Sequence, residues 1–295
     1  MEIAAKAIAL CCDDDRKSPV AKSEVYNETW MLRLALAFIH DHIHIDDSKD
    51  SNPLSRIAKA VKRSWISEGG LAPVFDNEGT TWTDAILGDV KLEEKTPGKK
   101  EKTKRGVLID KEGNPPVGVI VIEAKMNSDL APGVTHASDY NQVARNIACL
   151  ASLVMEHKAI AEESAFFVFA PRSNIDRYKI KIGECEECDI KNYLDCEKVL
   201  KTINDQSKDR SRMDVHGKPK QLPARPFTEE FIKREAYVKK FEEAINYIVK
   251  NSSIISWEEV IQSVACVNSE SDRDALKYFY MKACDEYKLK TDLKK

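Results

Sequence analysis

The sequence predicts an α/β fold, a core of strands and helices followed by a helical C-terminal part. Three stretches carry that reading. "GVIVIEAK" (118–125) and "AFFVFAP" (165–171) are short apolar runs rich in β-branched and aromatic residues, as strands covered on both faces are. Between them, "SDYNQVARNIACLASLVMEHKAIAEES" (138–164) repeats apolar residues at Val143, Ile147, Leu150 and Val154, the spacing of an amphipathic helix capped by Ser138 or Asp139.

The remaining elements follow in chain order. Residues 20–40 place apolar side chains at helical spacing behind a Ser23 or Asn27 cap and read as one long helix. "PLSRIAKAVKRSWI" gives a second helix with Pro53 in its first turn. "EGGLAPVFDNEG" (68–79) breaks the helical period and reads as turns. "TTWTDAIL" (80–87) reads as a strand. The lysine-heavy 91–106 reads as a mobile loop or protruding hairpin, with "VLID" (107–110) returning from it. Residues 204–226 form a polar, basic, proline-bearing linker, and three helices near 227–250, 256–266 and 271–288 complete the chain. The expected division is therefore a core at 1–203, a linker at 204–226 and a helical C-terminal region at 227–295.

At 295 residues the chain suits one large domain, or a medium domain with an appendage. A net charge of −3 does not announce a polyanion partner, so any nucleic-acid contact must come from local basic patches such as 99–105 and 208–225. The eight cysteines are not spaced as in a small secreted scaffold. Cys11, Cys12, Cys149, Cys266 and Cys284 sit in apolar or helix-like surroundings, as reduced cytosolic thiols do. No signal peptide is read at the N-terminus, and no apolar run approaches the roughly 20 residues of a membrane span. A cytoplasmic protein is expected.

The chemistry centres on the end of "GVIVIEAK". Alternate strand residues share a face, so Glu123 and Lys125 stand side by side at the sheet's rim while Ala124 faces the packed side. Glu-x-Lys recurs at Glu93 and Lys95, Glu156 and Lys158, and Glu286 and Lys288, but only the copy at 123 closes a buried strand. Upstream, Asp84 lies near the start of "TTWTDAIL". Downstream, Gln142 and Arg145 fall three apart on one helix face. Glu28 lies on the first long helix.

This ordered set resembles the PD-(D/E)XK nuclease superfamily, also called the restriction-endonuclease-like fold. The pattern is an acid on the first helix, Asp at a strand start, Glu-x-Lys, then a polar Gln-bearing helix. It maps onto Glu28 (or Glu24), Asp84, Glu123 with Lys125, and Gln142 with Arg145, over roughly residues 20–171. Thr83, not proline, precedes Asp84, and Asp89 is a rival for the aspartate's role on the opposite strand face. The resemblance implies a restriction-endonuclease-like core: a mixed central sheet flanked by helices. It further implies Mg²⁺, with Mn²⁺ as a substitute, held by Asp84, Glu123 and the carbonyl of Ala124. Lys125 is implied beside the attacking water, with Gln142 and Arg145 orienting water or phosphate and Glu28 acting as a further acid. The implied substrate is a phosphodiester, DNA favoured over RNA, in restriction, defence or repair, with a homodimer admitted.

Two other clusters offer different chemistry. "HDHIHIDD" (40–47) crowds His40, His42 and His44 beside Asp46 and Asp47, as in a histidine-cluster metallohydrolase, but it follows a helix rather than a strand. "CEECDIKNYLDC" supplies Cys185, Cys188 and Cys196, a metal spacing lacking its fourth ligand. An RNA endonuclease of the same fold and a non-catalytic nucleic-acid-binding module are the remaining alternatives.

Overall fold

The computed structural model describes residues 27–42, 52–74, 80–93, 106–110, 115–128, 142–175, 235–263, 270–291 and 293. Two helices come first: α1 (Glu28–His42) and α2 (Pro53–Val61). The Asn27 side chain accepts from Trp30 N at 3.0 Å, and that of Asn52 from Leu54 N at 2.9 Å ahead of Pro53. Strands β1 (Trp65–Leu71) and β2 (Thr81–Leu87) follow, then the short pair β3 (Val90–Leu92) and β4 (Val107–Ile109), then β5 (Ile120–Ala124). Next come α3 (Gln142–Val154), α4 (Lys158–Glu163) and β6 (Ala165–Ala170). The C-terminal part adds α5 (Glu235–Asn251), β7 (Ser253–Ser256), α6 (Trp257–Ser263) and α7 (Glu270–Tyr287).

The main sheet is mixed, with order β1-β2-β5-β6-β7. β1, β2 and β5 run antiparallel to one another in turn, whereas β5, β6 and β7 are parallel. Every residue of β5 and β6 is buried, because helices cover both faces. One face carries Ile120, Ile122, Phe167 and Phe169 against α1, α2, α6 and α7. The other carries Val119, Val121, Phe166 and Val168 against α3, α4 and α5. Residues 235–287 thus supply an edge strand and helices to both cores. Among the described residues, no helix is long and apolar enough to cross a membrane.

Three elements differ from the sequence reading. The segment read as the end of a helix and turns is strand β1. Its glycines do not break it; they admit its neighbours, since a Cβ on Gly69 would lie 2.6 Å from Ile86 Cδ1 and one on Gly70 2.8 Å from the Trp82 ring. The single long helix expected to run to residue 164 is two helices. His157 N bonds Val154 O at 2.8 Å, closing α3 in a tight turn before α4 starts anew. The C-terminal region, expected as helices alone, also contains β7, too short for a pattern to show. Of the segment 91–106, read as a mobile loop or protruding hairpin, residues 94–105 lie outside the described residues; on either side of them β3 pairs antiparallel with β4. The linker 204–226 lies outside the described residues.

Candidate active site

The β2–β5 ladder ends at Ala85↔Ile122, one residue short of Asp84 and Glu123. Where the next rung would fall, Ala124 N donates instead to the Asp84 carboxylate Oδ2 at 2.7 Å. The strands therefore part at the two acids. β5 ends at Ala124, but Lys125 keeps its register with β6, its amide donating to Phe169 O at 2.7 Å.

Around this fork the side chains converge on Glu123. Lys125 Nζ donates to Glu123 Oε1 at 2.7 Å, and Gln142 Nε2, from the first turn of α3, donates to the same oxygen. Glu123 Oε2 is buried and has no hydrogen-bond partner. Glu28, at the start of α1, accepts from Met126 N at 3.2 Å through Oε2.

Three acids share one ammonium here, and their proton affinities show it. Burial pushes the Glu123 carboxyl up to about 7, and the charge of Asp84 adds to that, while Lys125 opposes it. Asp84 is raised chiefly by burial, with Glu68 adding and the Ala124 amide and Lys125 opposing. Burial also raises Glu28, against the pull of Lys125. Burial alone would lower Lys125, but Glu123, Glu28 and Asp84 together hold it above the ordinary lysine range, so it stays charged.

Oxygen donors of this kind suit a hard divalent ion, and an orphaned buried carboxylate oxygen is where one would bind. The fit lies in donor chemistry: among the described residues, no group of three or more His, Cys, Asp or Glu side chains is arranged to hold a metal ion.

The structure thus brings together Asp84, Glu123, Lys125, Gln142 and Glu28. Arg145 is half-buried one turn further along α3, and the charges acting on Glu123 are those of Asp84, Lys125 and Glu28. Asp89 is elsewhere: it lies in the β2–β3 turn, accepts from Val117 N at 2.6 Å ahead of β5 and faces Arg63 Nε at 3.9 Å. His40 is exposed on α1 with its Nδ1 2.8 Å from Asp41 Oδ1, and the backbone of His42 belongs to the same helix. Glu24, His44, Asp46, Asp47, Cys185, Cys188, Cys196 and both basic segments lie outside the described residues.

Sequence reasoning missed the residues that fix the site from behind. Trp257 Nε1 donates to Lys125 O at 3.1 Å, and Asn174 Nδ2 donates to Met126 O. It also missed Glu68. The β1–β2 ladder pairs Ser67 with Ala85 and Gly69 with Thr83 but skips the rung between them, where Glu68 stands opposite Asp84 with a left-handed φ of 57°. Arg33 holds this segment, its Nε donating to Ser67 Oγ at 3.1 Å and its Nη2 lying 3.6 Å from Glu68 Oε1. Recognising β1 as a strand beside β2 would have exposed Glu68; nothing in the sequence marks Trp257 or Asn174.

No family model, curated protein or solved structure matches the chain.

Proposed function

We propose that this chain is a divalent-metal-dependent nuclease of the PD-(D/E)XK type, hydrolysing phosphodiester bonds of DNA. One observation carries the reading: Lys125 and Gln142 both donate to Oε1 of the buried Glu123, leaving Oε2 without a partner next to Asp84. Two carboxylates about 4 Å apart repel by roughly 4 kcal/mol at an effective dielectric of 20, so such a pair calls for a cation or a shared proton. The order of elements supports the same reading. Among the described elements, an acid opens the first helix, an aspartate sits where β2 parts from β5, Glu-x-Lys ends β5, and glutamine opens the next helix.

Asp84, Glu123 and the carbonyl of Ala124 would hold Mg²⁺ or Mn²⁺. When bound, the ion supplies a Lewis acid that neutralises the phosphate and makes nearby water more acidic. Lys125, kept charged by its acidic neighbours, is placed to stabilise negative charge building on the phosphate. Gln142 orients Glu123, and Glu28 accepts from the Met126 amide while its negative charge acts on Glu123.

The test is cleavage of supercoiled plasmid with Mg²⁺ and with Mn²⁺, beside Asp84→Ala and Lys125→Ala. The wild type should cut, and each variant should lose on the order of 10²-fold or more. Cutting retained by both variants would assign the activity elsewhere. A second reading, a nucleic-acid-binding module without cleavage, is favoured by the lack of a ready-made three-ligand group among the described residues and by the bond that already occupies Lys125. Binding without cutting under both ions would establish it. A panel of single- and double-stranded DNA and RNA decides the polymer.

A further inference from the structure

Helix α3 is buried on most sides, and one of its buried residues, Asn146, carries a carboxamide with 1% of the residue exposed. Among the described residues neither Nδ2 nor Oδ1 of Asn146 has a hydrogen-bond partner. Asn174, buried to the same degree, donates its amide to Met126 O. A buried carboxamide that bonds nothing penalises the fold twice, once through its donor and once through its acceptor. Such a group is a mark of a place where catalysis or ion binding, rather than folding, has kept a polar side chain.

Two contacts fix where Asn146 stands. Four residues before it Gln142 donates to Glu123 Oε1, and three residues after it the Cys149 sulfur lies 3.4 Å from Thr81 Oγ1. Residues three and four apart share a helix face, so this face looks onto β5 at Glu123 and onto β2 at Thr81, with Asn146 between them. Glu123 is on the matching side of the sheet. Val121, two residues back on β5, packs in one core with Val143, Ile147 and Leu150 of α3. Helical side chains lean back over the turn before them, here the turn that carries Gln142. Gln142 and Lys125 both occupy Glu123 Oε1, and Oε2 is left without a partner. An orphaned carboxamide and an orphaned carboxylate oxygen thus border the same corner of the fork.

We infer that Asn146 is a positioning residue of the acid site, its carboxamide holding the water shell of a divalent cation bound at Glu123 Oε2. The inference rests on the cation of the nuclease reading and adds a residue to it. Small hard cations keep several waters when one or two carboxylates hold them. A carboxamide suits that shell, since Oδ1 accepts from such a water and Nδ2 donates to a carboxylate oxygen. Being uncharged, it adds nothing to the repulsion among Asp84, Glu123 and Glu28.

The experiment is calorimetric titration of the full chain with Mn²⁺ and with Mg²⁺ at pH 8, beside thermal unfolding in EDTA. The wild type should bind saturably, and Asp84→Ala should not. Asn146→Leu, close to asparagine in shape, should weaken the ion at least about tenfold. In EDTA the same variant should melt no lower than the wild type, because it removes a group that makes no bond in the fold. A fold unharmed and an ion weakened is a pair of results that a merely structural asparagine would not give. Asn146→Ala gives the same binding comparison should the leucine variant lose its fold, as checked by circular dichroism. Ion binding that Asp84→Ala loses but the folded Asn146 variants keep within about twofold overturns the inference and leaves the nuclease reading standing. No ion binding by the wild type overturns both.

Discussion

The indole Nε1 of Trp257 donates to the backbone carbonyl of Lys125 at 3.1 Å, joining residues 132 apart in the chain. The same ring is fully buried and meets Phe169 edge-on, with centroids 5.1 Å apart. The C-terminal part therefore holds the backbone of the candidate lysine. Trp257→Phe keeps a ring but removes the donor and should cost about 1–2 kcal/mol. Trp257→Ala also leaves a cavity and should cost about 3–5 kcal/mol. Urea unfolding of the three proteins checks the order. A chain ending at residue 234 should show no cooperative transition, because both cores lose helices and the sheet loses an edge strand.

Glu123 sets a pH dependence of unusual sign. Its carboxyl is pushed from an ordinary 4.5 to about 7, so between those values the folded state holds a proton the unfolded chain has released. Stability is then greatest below this window and falls as pH rises through it, by about 1–3 kcal/mol. Glu28 and Asp84, both raised, act in the same direction. Lys125, raised above its usual 10.5, affects only alkaline pH. In EDTA the Tm should therefore drop from pH 5 to pH 8, and Glu123→Gln should flatten the drop. Mg²⁺ should restore the Tm at pH 8 and change little at pH 5. A wild-type Tm that holds level, or a slope that Glu123→Gln leaves unchanged, would place the titration on another group.

Asp84 separates stability from activity. Its carboxylate accepts from the Ala124 amide at 2.7 Å while its charge raises the proton affinity of Glu123. Asp84→Asn keeps an acceptor oxygen and removes the charge. At pH 8 without metal it should gain about 0.5–2 kcal/mol, while cleavage falls on the order of 10²-fold. Asp84→Ala removes the acceptor too. Orphaning the Ala124 amide costs about 1–3 kcal/mol, so this variant should gain less or lose stability outright. Chemical denaturation of the two variants beside the wild type measures the difference.

How much of this was legible depends on whether a residue's role is local. β5 announces itself because a central strand covered on both faces needs an unbroken apolar run. The charged pair marks where that run stops, but Glu123 and Lys125 are buried there rather than at the solvent-facing rim the alternation suggests. Gln142 is equally readable, since it opens the helix that follows the Glu-x-Lys strand. β1 is not, because Gly69 and Gly70 are turn residues by propensity and become strand residues only where Ile86 and the Trp82 ring press against the backbone. β7 is four residues between two helices, and its place is set by β6 rather than by its own sequence. Trp257 and Asn174 act on backbone carbonyls, which have no side-chain signature to pair with.

Glu68 gives the last prediction. It adopts a left-handed backbone at a skipped rung opposite Asp84, a conformation that costs a residue with a Cβ about 1–2 kcal/mol. Its ion pair with Arg33 at 3.6 Å joins side chains 34% and 55% exposed and so returns little. Its charge raises the proton affinity of Asp84, adding to the excess of acids around the fork. Glu68→Gly removes both the backbone cost and the repulsion, and should stabilise the chain by up to about 1 kcal/mol despite the lost pair. Glu68→Gln should recover only the electrostatic share. Glu68→Val, β-branched at a positive φ, should be the least stable of the three. Stability in the order Gly, Gln, Val by urea unfolding would show that the kink itself carries a cost; Val matching Gly would show that it does not.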